Sequence, residues 1–361
     1  MRIIFSVTND LNFDQRMARI CSALSEANHK VTLVGRKKIN SKTLKEKPYK
    51  QYRLNMFFQK GKMFYVEYNI RLFFYLLFEK ADAYCAIDLD SILPHYLVTR
   101  IKTAHFGYDA HEYFAEMEEV VIRPTIKSMW KRIERMCVPK VDFAYTISNS
   151  YKKLFEDEYN ARFEVIRNVC RLEDLNEVDS GAGPFVLYQG SVNVGRGLEQ
   201  LIEAMQKVNA NLIICGAGDV LEELKTLAIK LKVQHKVEFK GYVDPIELRK
   251  LTPQAAVGVT FFTNDGLSNK YSLANRFFDY FHAGVPQLAM NYPEYSAFNN
   301  SLEVAYLIDK VEVKQIEMGL NKILSNPSYH HGLKVNCMVA RAEHNWQKES
   351  EKLIKIYADL D

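Results

Sequence analysis

Short apolar runs alternate with amphipathic helical patterns along almost the whole chain. "RIIFSVT", "KVTLVG", "YRLNMFF", "AYCAIDL", "HFGYDA", "FAYTIS" and "FEVIRN" have the length of strands. Between them, "DQRMARICSALSEANH", "DSILPHYLVTRIKTA" and "RPTIKSMWKRIERMCVPKV" repeat apolar positions at helical spacing. The rhythm breaks at residues 171–185, "RLEDLNEVDSGAGPF", where acids, glycines and a proline predict a linker. A second series follows with "FVLYQGS", "NLIICGAG", "KVEFKGYV", "AVGVTFF", "PQLAM" and "VAYLID", separated by helices such as "GLEQLIEAMQKV" and "VLEELKTLAIKLK". Near-continuous apolar strands with helices between them are what a parallel sheet covered on both faces requires.

The expected architecture is α/β: two doubly wound, Rossmann-like domains in tandem, over residues 1–172 and 183–340. Residues 341–361 predict a long amphipathic helix, with Ala342, Trp346, Leu353, Ile354 and Tyr357 as its packing positions. Ligands of such sheets bind beyond the carboxyl ends of the strands, so the expected site of a two-domain version is the cleft between the domains.

The chain's 361 residues agree with two cores, since one hydrophobic core rarely grows past about 250–300 residues. A hydrophobic content of 48% with 25% charged residues excludes disorder. Six cysteines without CxxC spacing read as buried thiols of a reducing compartment. "MRIIFSVTND" turns polar too early for a secretory leader, and "IRLFFYLLFEKADAYCAI" is broken by Glu79, Lys80 and Asp82 before it could span a bilayer. The expected location is the cytoplasm.

Charge is uneven. Residues 1–172 hold 29 basic against 20 acidic side chains, whereas the whole chain is only +4. Residues 36–65 concentrate ten lysines and arginines against Glu46 alone, interleaved with Met56, Phe57, Phe58, Met63, Phe64 and Tyr65. That composition suits the anionic inner face of a membrane, to which the protein would be peripheral, or a solvated loop followed by a strand and a helix. Nucleic acid is not expected, because no binding module accompanies the charge.

Candidate chemistry gathers at turns that follow strands. In "VLYQGSVNVGRGLEQLIEAM", Gly190 ends a strand and Arg196 stands where a helix begins, an arrangement that suits phosphate or merely makes the turn. "LIICGAGD" places Gly216 and Gly218 after a strand, but Leu221 occupies the third glycine position of a nicotinamide-type loop, so only a close approach by backbone or ligand is implied. In "SLANRFFDYFHAGVP" a helix beginning near Ser272 carries Asn275, Arg276 and Asp279 on one face, while Phe277, Phe278 and Phe281 face the core. Asp279 could hold a ribose and Arg276 a diphosphate, or the two could form a surface pair.

In the first half, Asn9, Asp10, Asp14 and Arg16 follow the first strand, with Asp14 also a good helix cap. Asp109, His111 and Glu112 follow another strand. Asp88 to Asp90, "DLD", is expected to end a strand and cap a helix at Asp90 rather than bind metal.

"YQGSVNVGRGLEQLIEA", "CGAGD", "KGYVDPIEL" and "SLANRFFDYFHAGVPQL", in that order, resemble the glycosyltransferase family 4 (group 1) enzymes of the GT-B fold. "DQRMARICSALSEANHKVTLVGR", "DLDSILP", "YDAHEYF" and "VIRNV" look like that family's first domain, so the resemblance covers nearly the whole chain. It implies a nucleotide diphosphate sugar as donor and a glycan or lipid-linked acceptor, in cell-surface polysaccharide or glycoconjugate synthesis. It also implies retention of anomeric configuration, no cofactor and no metal. The donor would be bound by Gly190, Gly216 and Asn275, with its diphosphate by Arg196 and Arg276, the ribose on Asp279, and the base by Tyr242 and Val243.

The resemblance places His111 near the reacting sugar, with Asn9, Asp10 and Glu112 on the acceptor side. The family's last helix often crosses back to the first domain. Tyr271 stands where many members carry a glutamate near the transferred sugar. That leaves open a catalytically silent partner subunit, and a nucleotide-sugar epimerase on the same fold is a further reading.

Overall fold

The computed structural model describes residues 1–12, 14–175, 183–263 and 266–360. All thirteen apolar runs form strands. They are β1 (Arg2–Ser6), β2 (Lys30–Lys37), β3 (Lys50–Asn55), β4 (Ala83–Ile87), β5 (His105–Ala110), β6 (Phe143–Thr146) and β7 (Glu164–Val165) in the first series. The second holds β8 (Phe185–Gln189), β9 (Asn211–Cys215), β10 (Val237–Gly241), β11 (Val257–Thr260), β12 (Gln287–Met290) and β13 (Ala305–Ile308). Contacts divide the chain into one unit of Met1–Asn168 with Glu349–Asp361, and another of Val169–Lys348.

In the first unit the strand order is β3-β2-β1-β4-β5-β6-β7, all parallel. In the second it is β10-β9-β8-β11-β12-β13, again all parallel. β4 and β8 are buried at every position, which explains why their sequences lack polar alternation. In each sheet the strand order reverses beside the first strand, between β1 and β4 and between β8 and β11. These switch points open a crevice at the carboxyl edge because the connections on either side leave in opposite directions.

The helix Gln15–Glu26 is capped by Asp14, whose side chain accepts the Met17 amide at 2.9 Å. The long C-terminal helix expected over 341–361 is instead two helices, Pro327–Glu343 and Trp346–Ala358. Asn345 makes the break: its amide group donates to the Arg341 and Ala342 carbonyls, and its Oδ1 accepts from Lys348 N, as a helix cap does. Within the first unit, Tyr357 is fully buried against Phe5 and Phe143, and its hydroxyl lies 3.3 Å from that of Tyr145.

The basic stretch 36–65 does not act as one piece. Phe64 is buried in the core beneath the Arg36 guanidinium, whereas Phe57, Phe58 and Met63 are exposed. No helix among the described residues is long and apolar enough to cross a membrane.

Candidate functional site

Each switch point carries a cluster of polar side chains. In the second unit, three turns step across the carboxyl edge. The Gly190 amide donates to the Cys215 carbonyl at 3.0 Å, and the Gly216 amide to the Gly241 carbonyl at 2.7 Å. Gly190 has φ +137°, and a Cβ there would lie 2.9 Å from Arg276 Nη1. A Cβ on Gly216 would come within 1.8 Å of the Gly190 carbonyl oxygen. The close approach expected at "GAG" is therefore made by the protein's own backbone.

Arg276 is buried in the first turn of the helix Asn275–His282. This helix starts at Asn275 rather than near Ser272, since Ala274 is extended and its amide donates to the Tyr295 hydroxyl. The Arg276 guanidinium carbon lies 4.8 Å from the centre of the Tyr188 ring and 5.4 Å from that of Phe262. Arg196 approaches the same Phe262 ring at 4.9 Å. Two cations thus share one aromatic residue just beyond β11. Arg276 Nη1 reaches the Gln189 carbonyl at 3.3 Å, and its buried Nε has no acceptor among the described residues.

Asp279, one turn later, accepts from Gln189 Nε2 at 2.9 Å and from the Cys170 thiol at 3.0 Å. Arg276 and Asp279 therefore do not pair with each other; both close on Gln189, the last residue of β8. Asn275 is exposed, Tyr242 stands 69% exposed on the turn after β10, and Val243 packs against the cluster around Leu187 and Tyr280. Tyr271 is half-buried at the end of the short helix Leu267–Lys270.

In the first unit, Asp109 at the end of β5 is wholly buried. One of its oxygens takes Arg16 Nη2 at 3.0 Å and the other takes His111 Nε2 at 2.8 Å. Burial opposes ionisation of Asp109, but the Arg16 and His111 charges overcome it and hold the carboxyl below its ordinary value. Burial alone would likewise depress His111; the Asp109 charge, assisted by Asp88, outweighs it and raises the imidazole above its usual range.

Asp88 Oδ1 accepts the backbone amides of His111 and Glu112, at 2.8 and 3.1 Å, and its Oδ2 lies 3.9 Å from His111 Nδ1. Burial pushes Asp88 up to about 6. Asp90 does not cap a helix as expected. Its side chain is buried and accepts the Thr8 hydroxyl at 2.7 Å, and burial together with the Asp88 charge pushes it up to about 7. No group of three or more His, Cys, Asp or Glu able to hold a metal occurs among the described residues.

On the expected acceptor side, Asn9 is spent on its own loop, donating to Asp14 and accepting the Leu11 amide. Asp10 likewise accepts the Asn12 amide and the Ser41 hydroxyl, while the Glu112 side chain is exposed. Sequence reasoning missed Gln189, Phe262 and Cys170, and noted Arg16 without seeing that it is buried on Asp109. Only the last carried a signal, an arginine among the apolar positions of an amphipathic helix.

Two parallel sheets wound in this order define a pair of Rossmann-like domains, the GT-B type of architecture. Residues 176–338 match the family model described as glycosyl transferases group 1. An uncharacterized glycosyltransferase of Methanocaldococcus jannaschii is 41% identical over 154 residues, covering 42% of this chain and 38% of that protein. The chain thus spans about two-fifths of that relative's length.

Among solved structures, sucrose-phosphate synthase from Thermosynechococcus elongatus is similar with a TM-score of 0.84, over 100% of this chain and 99% of that one, at 15% identity. HepE from Anabaena, in complex with UDP-glucose, is similar with a TM-score of 0.80, over 99% and 100%, at 12% identity.

Proposed function

We propose that this protein is a glycosyltransferase that moves a sugar from a nucleoside diphosphate sugar to a hydroxyl of a glycan or lipid-linked acceptor, with retention at the anomeric carbon. The observation that carries the reading is the pair of guanidiniums, Arg196 and Arg276, on the Phe262 ring at the β8/β11 switch point. The buried Nε of Arg276 has no acceptor there among the described residues. A diphosphate offers an anion able to accept from both forks. As the donor breaks, negative charge grows on the departing diphosphate, and cations fixed beforehand stabilise that charge without reorganising.

Asp279, which accepts from Gln189, takes the ribose hydroxyls in this reading, supported by its position one turn after Arg276, and the turn bearing Tyr242 borders the same edge through the Gly216–Gly241 hydrogen bond. His111, held by Asp109, is assigned to the transferred sugar or the acceptor hydroxyl. HepE, of the same fold, is in complex with UDP-glucose, which makes uridine diphosphate sugars the first donors to try. Calorimetric titration with UDP and UDP-glucose tests the reading; no binding of either, nor of other nucleoside diphosphate sugars, would refute it.

A silent donor-binding subunit is the second reading, favoured by Tyr271 in place of a carboxylate. Donor binding unaccompanied by turnover on any acceptor would select it.

A further inference from the structure

We propose that the outer face of the helix Lys62–Phe78, together with Phe57 and Phe58, is a docking surface for an anionic phospholipid bilayer. The helix is apolar on both sides. Phe64, Tyr68, Leu72 and Leu76 enter the core of the first unit beside Ile4, Val34, Leu54 and Val98. The opposite, outward positions are Met63, Val66, Ile70, Phe74 and Phe78, all more than half exposed. Their spacing of three, four, four and four makes one stripe with no charged residue in it. A helix at the surface of a globular protein ordinarily turns a polar face outward, so a stripe of this kind calls for a cover. Tyr52, on the edge strand β3, stacks on Tyr75 with ring centres 4.6 Å apart and widens the apolar strip.

The loop before the helix is built to extend this surface. Glu67 accepts the amides of Phe57 and Phe58, at 3.0 and 2.8 Å, and the Arg71 Nε at 2.7 Å. Arg71 in turn lies 5.0 Å from the centre of the Phe57 ring. The one acid within the helix is thereby consumed in holding the loop. Phe57, 84% exposed, is tethered through its backbone beside the stripe.

Charge decides between occupants. Lys60 and Lys62 are exposed at one end of the stripe, Lys80 beside the half-buried Glu79 at the other, and Lys50 on the flanking strand, four cations against one acid. A second copy packed by two-fold symmetry, helix against antiparallel helix, would set Lys60 and Lys62 of one molecule against Lys80 and Glu79 of the other, three lysines to a single carboxylate at each end. A bilayer containing acidic lipids accepts both features at once, the stripe among acyl chains and the lysines at phosphate level. Each cation near such a surface adds about fivefold to the affinity. The contact therefore lies mostly beyond residue 62, on a helix whose inner residues, including Phe64, belong to the core.

The test is sedimentation of the full chain with vesicles of phosphatidylcholine alone and of phosphatidylcholine mixed with phosphatidylglycerol. The expected result is salt-sensitive binding to the mixed vesicles only. It should fall at least about tenfold in a Phe74→Ser/Phe78→Ser variant and by a similar factor in Lys60→Glu/Lys62→Glu. Both changes lie at exposed positions, and both variants should keep the wild-type melting temperature. Failure of the wild type to bind mixed vesicles, or undiminished binding by the Phe74→Ser/Phe78→Ser variant, would overturn the proposal. So would light scattering that shows a dimer dissociated by that variant without vesicle binding. Vesicle binding that persists in a protein unable to bind UDP, UDP-glucose or any other nucleoside diphosphate sugar would refute the transferase reading and leave this one standing.

Discussion

His111 donates through Nε2 to Asp109 Oδ2 at 2.8 Å, and Arg16 Nη2 lies 3.0 Å from the carboxylate's other oxygen. A carboxylate so placed, held ionised by a neighbouring guanidinium, cannot supply the proton of that bond, so the imidazole carries it. Nδ1 is left on the side of Asp88, 3.9 Å from its Oδ2.

This pair makes a prediction about pH. The folded state raises the His111 pKa, so the pairing stabilises fully below the unfolded value of about 6.5 and its contribution disappears as pH rises through the higher folded value. Replacing His111→Ala should therefore cost more stability at pH 5.5 than at pH 9. Asp109→Asn should lower the imidazole pKa, measured by proton NMR of the ring.

Asp90 works in the opposite direction. Burial and Asp88 push it up to about 7, so between its unfolded value near 4 and pH 7 the folded protein retains a proton that the unfolded chain releases. Stability must fall as pH rises through that window. Asp90→Asn, which keeps an acceptor for Thr8, should therefore stabilise the protein by roughly 1–4 kcal/mol at pH 8 and by little at pH 4. Thermal melts of both proteins across this range measure the difference.

Arg276 separates binding from folding. Its guanidinium is buried without a carboxylate partner among the described residues, and buried ionic groups replaced by well-packed apolar side chains of similar volume are often lost without cost. Arg276→Met should leave the urea midpoint unchanged or higher while weakening UDP about 10- to 100-fold, the value of one or two charge-assisted hydrogen bonds. Calorimetry on the same preparation reads both sides of this prediction.

Gly216 is a matter of space. Because a Cβ there would meet the Gly190 carbonyl at 1.8 Å, Gly216→Ala must part the turns after β8 and β9. The expected cost is about 1–3 kcal/mol in urea unfolding, with weaker nucleotide binding because the carbonyl of Gln189, next to Gly190, holds Arg276.

The strands were legible because a strand buried on both faces must be apolar throughout, and most such runs here are bounded by turn residues within strand length. β1, β4, β8 and β11 could thus be read directly, and with them the turns where Gly190, Arg196 and His111 stand. What the sequence withheld depends on single tertiary contacts. Asn345 reads as one more polar residue of a helix until its side chain is seen capping the next one. Asp90 has the right residue type for a cap, yet Thr8, 82 positions away, takes its carboxylate. The stripe on the helix Lys62–Phe78 was hidden by the absence of contrast: with both faces apolar, periodicity cannot tell the covered side from the bare one.

Gln189 has consequences for how the protein can vary. Its amide nitrogen bonds the Tyr280 hydroxyl, its carbonyl the Arg276 guanidinium, its side-chain nitrogen Asp279, and its side-chain oxygen lies 2.9 Å from the Thr252 hydroxyl. Glutamate would confront Asp279 with a second negative charge, leucine would leave Asp279 and Thr252 each without this partner, and asparagine is one methylene too short. A library randomised at this codon and selected for nucleotide binding should return glutamine almost exclusively, even though residue 189 lies under the site and is nearly inaccessible to a ligand.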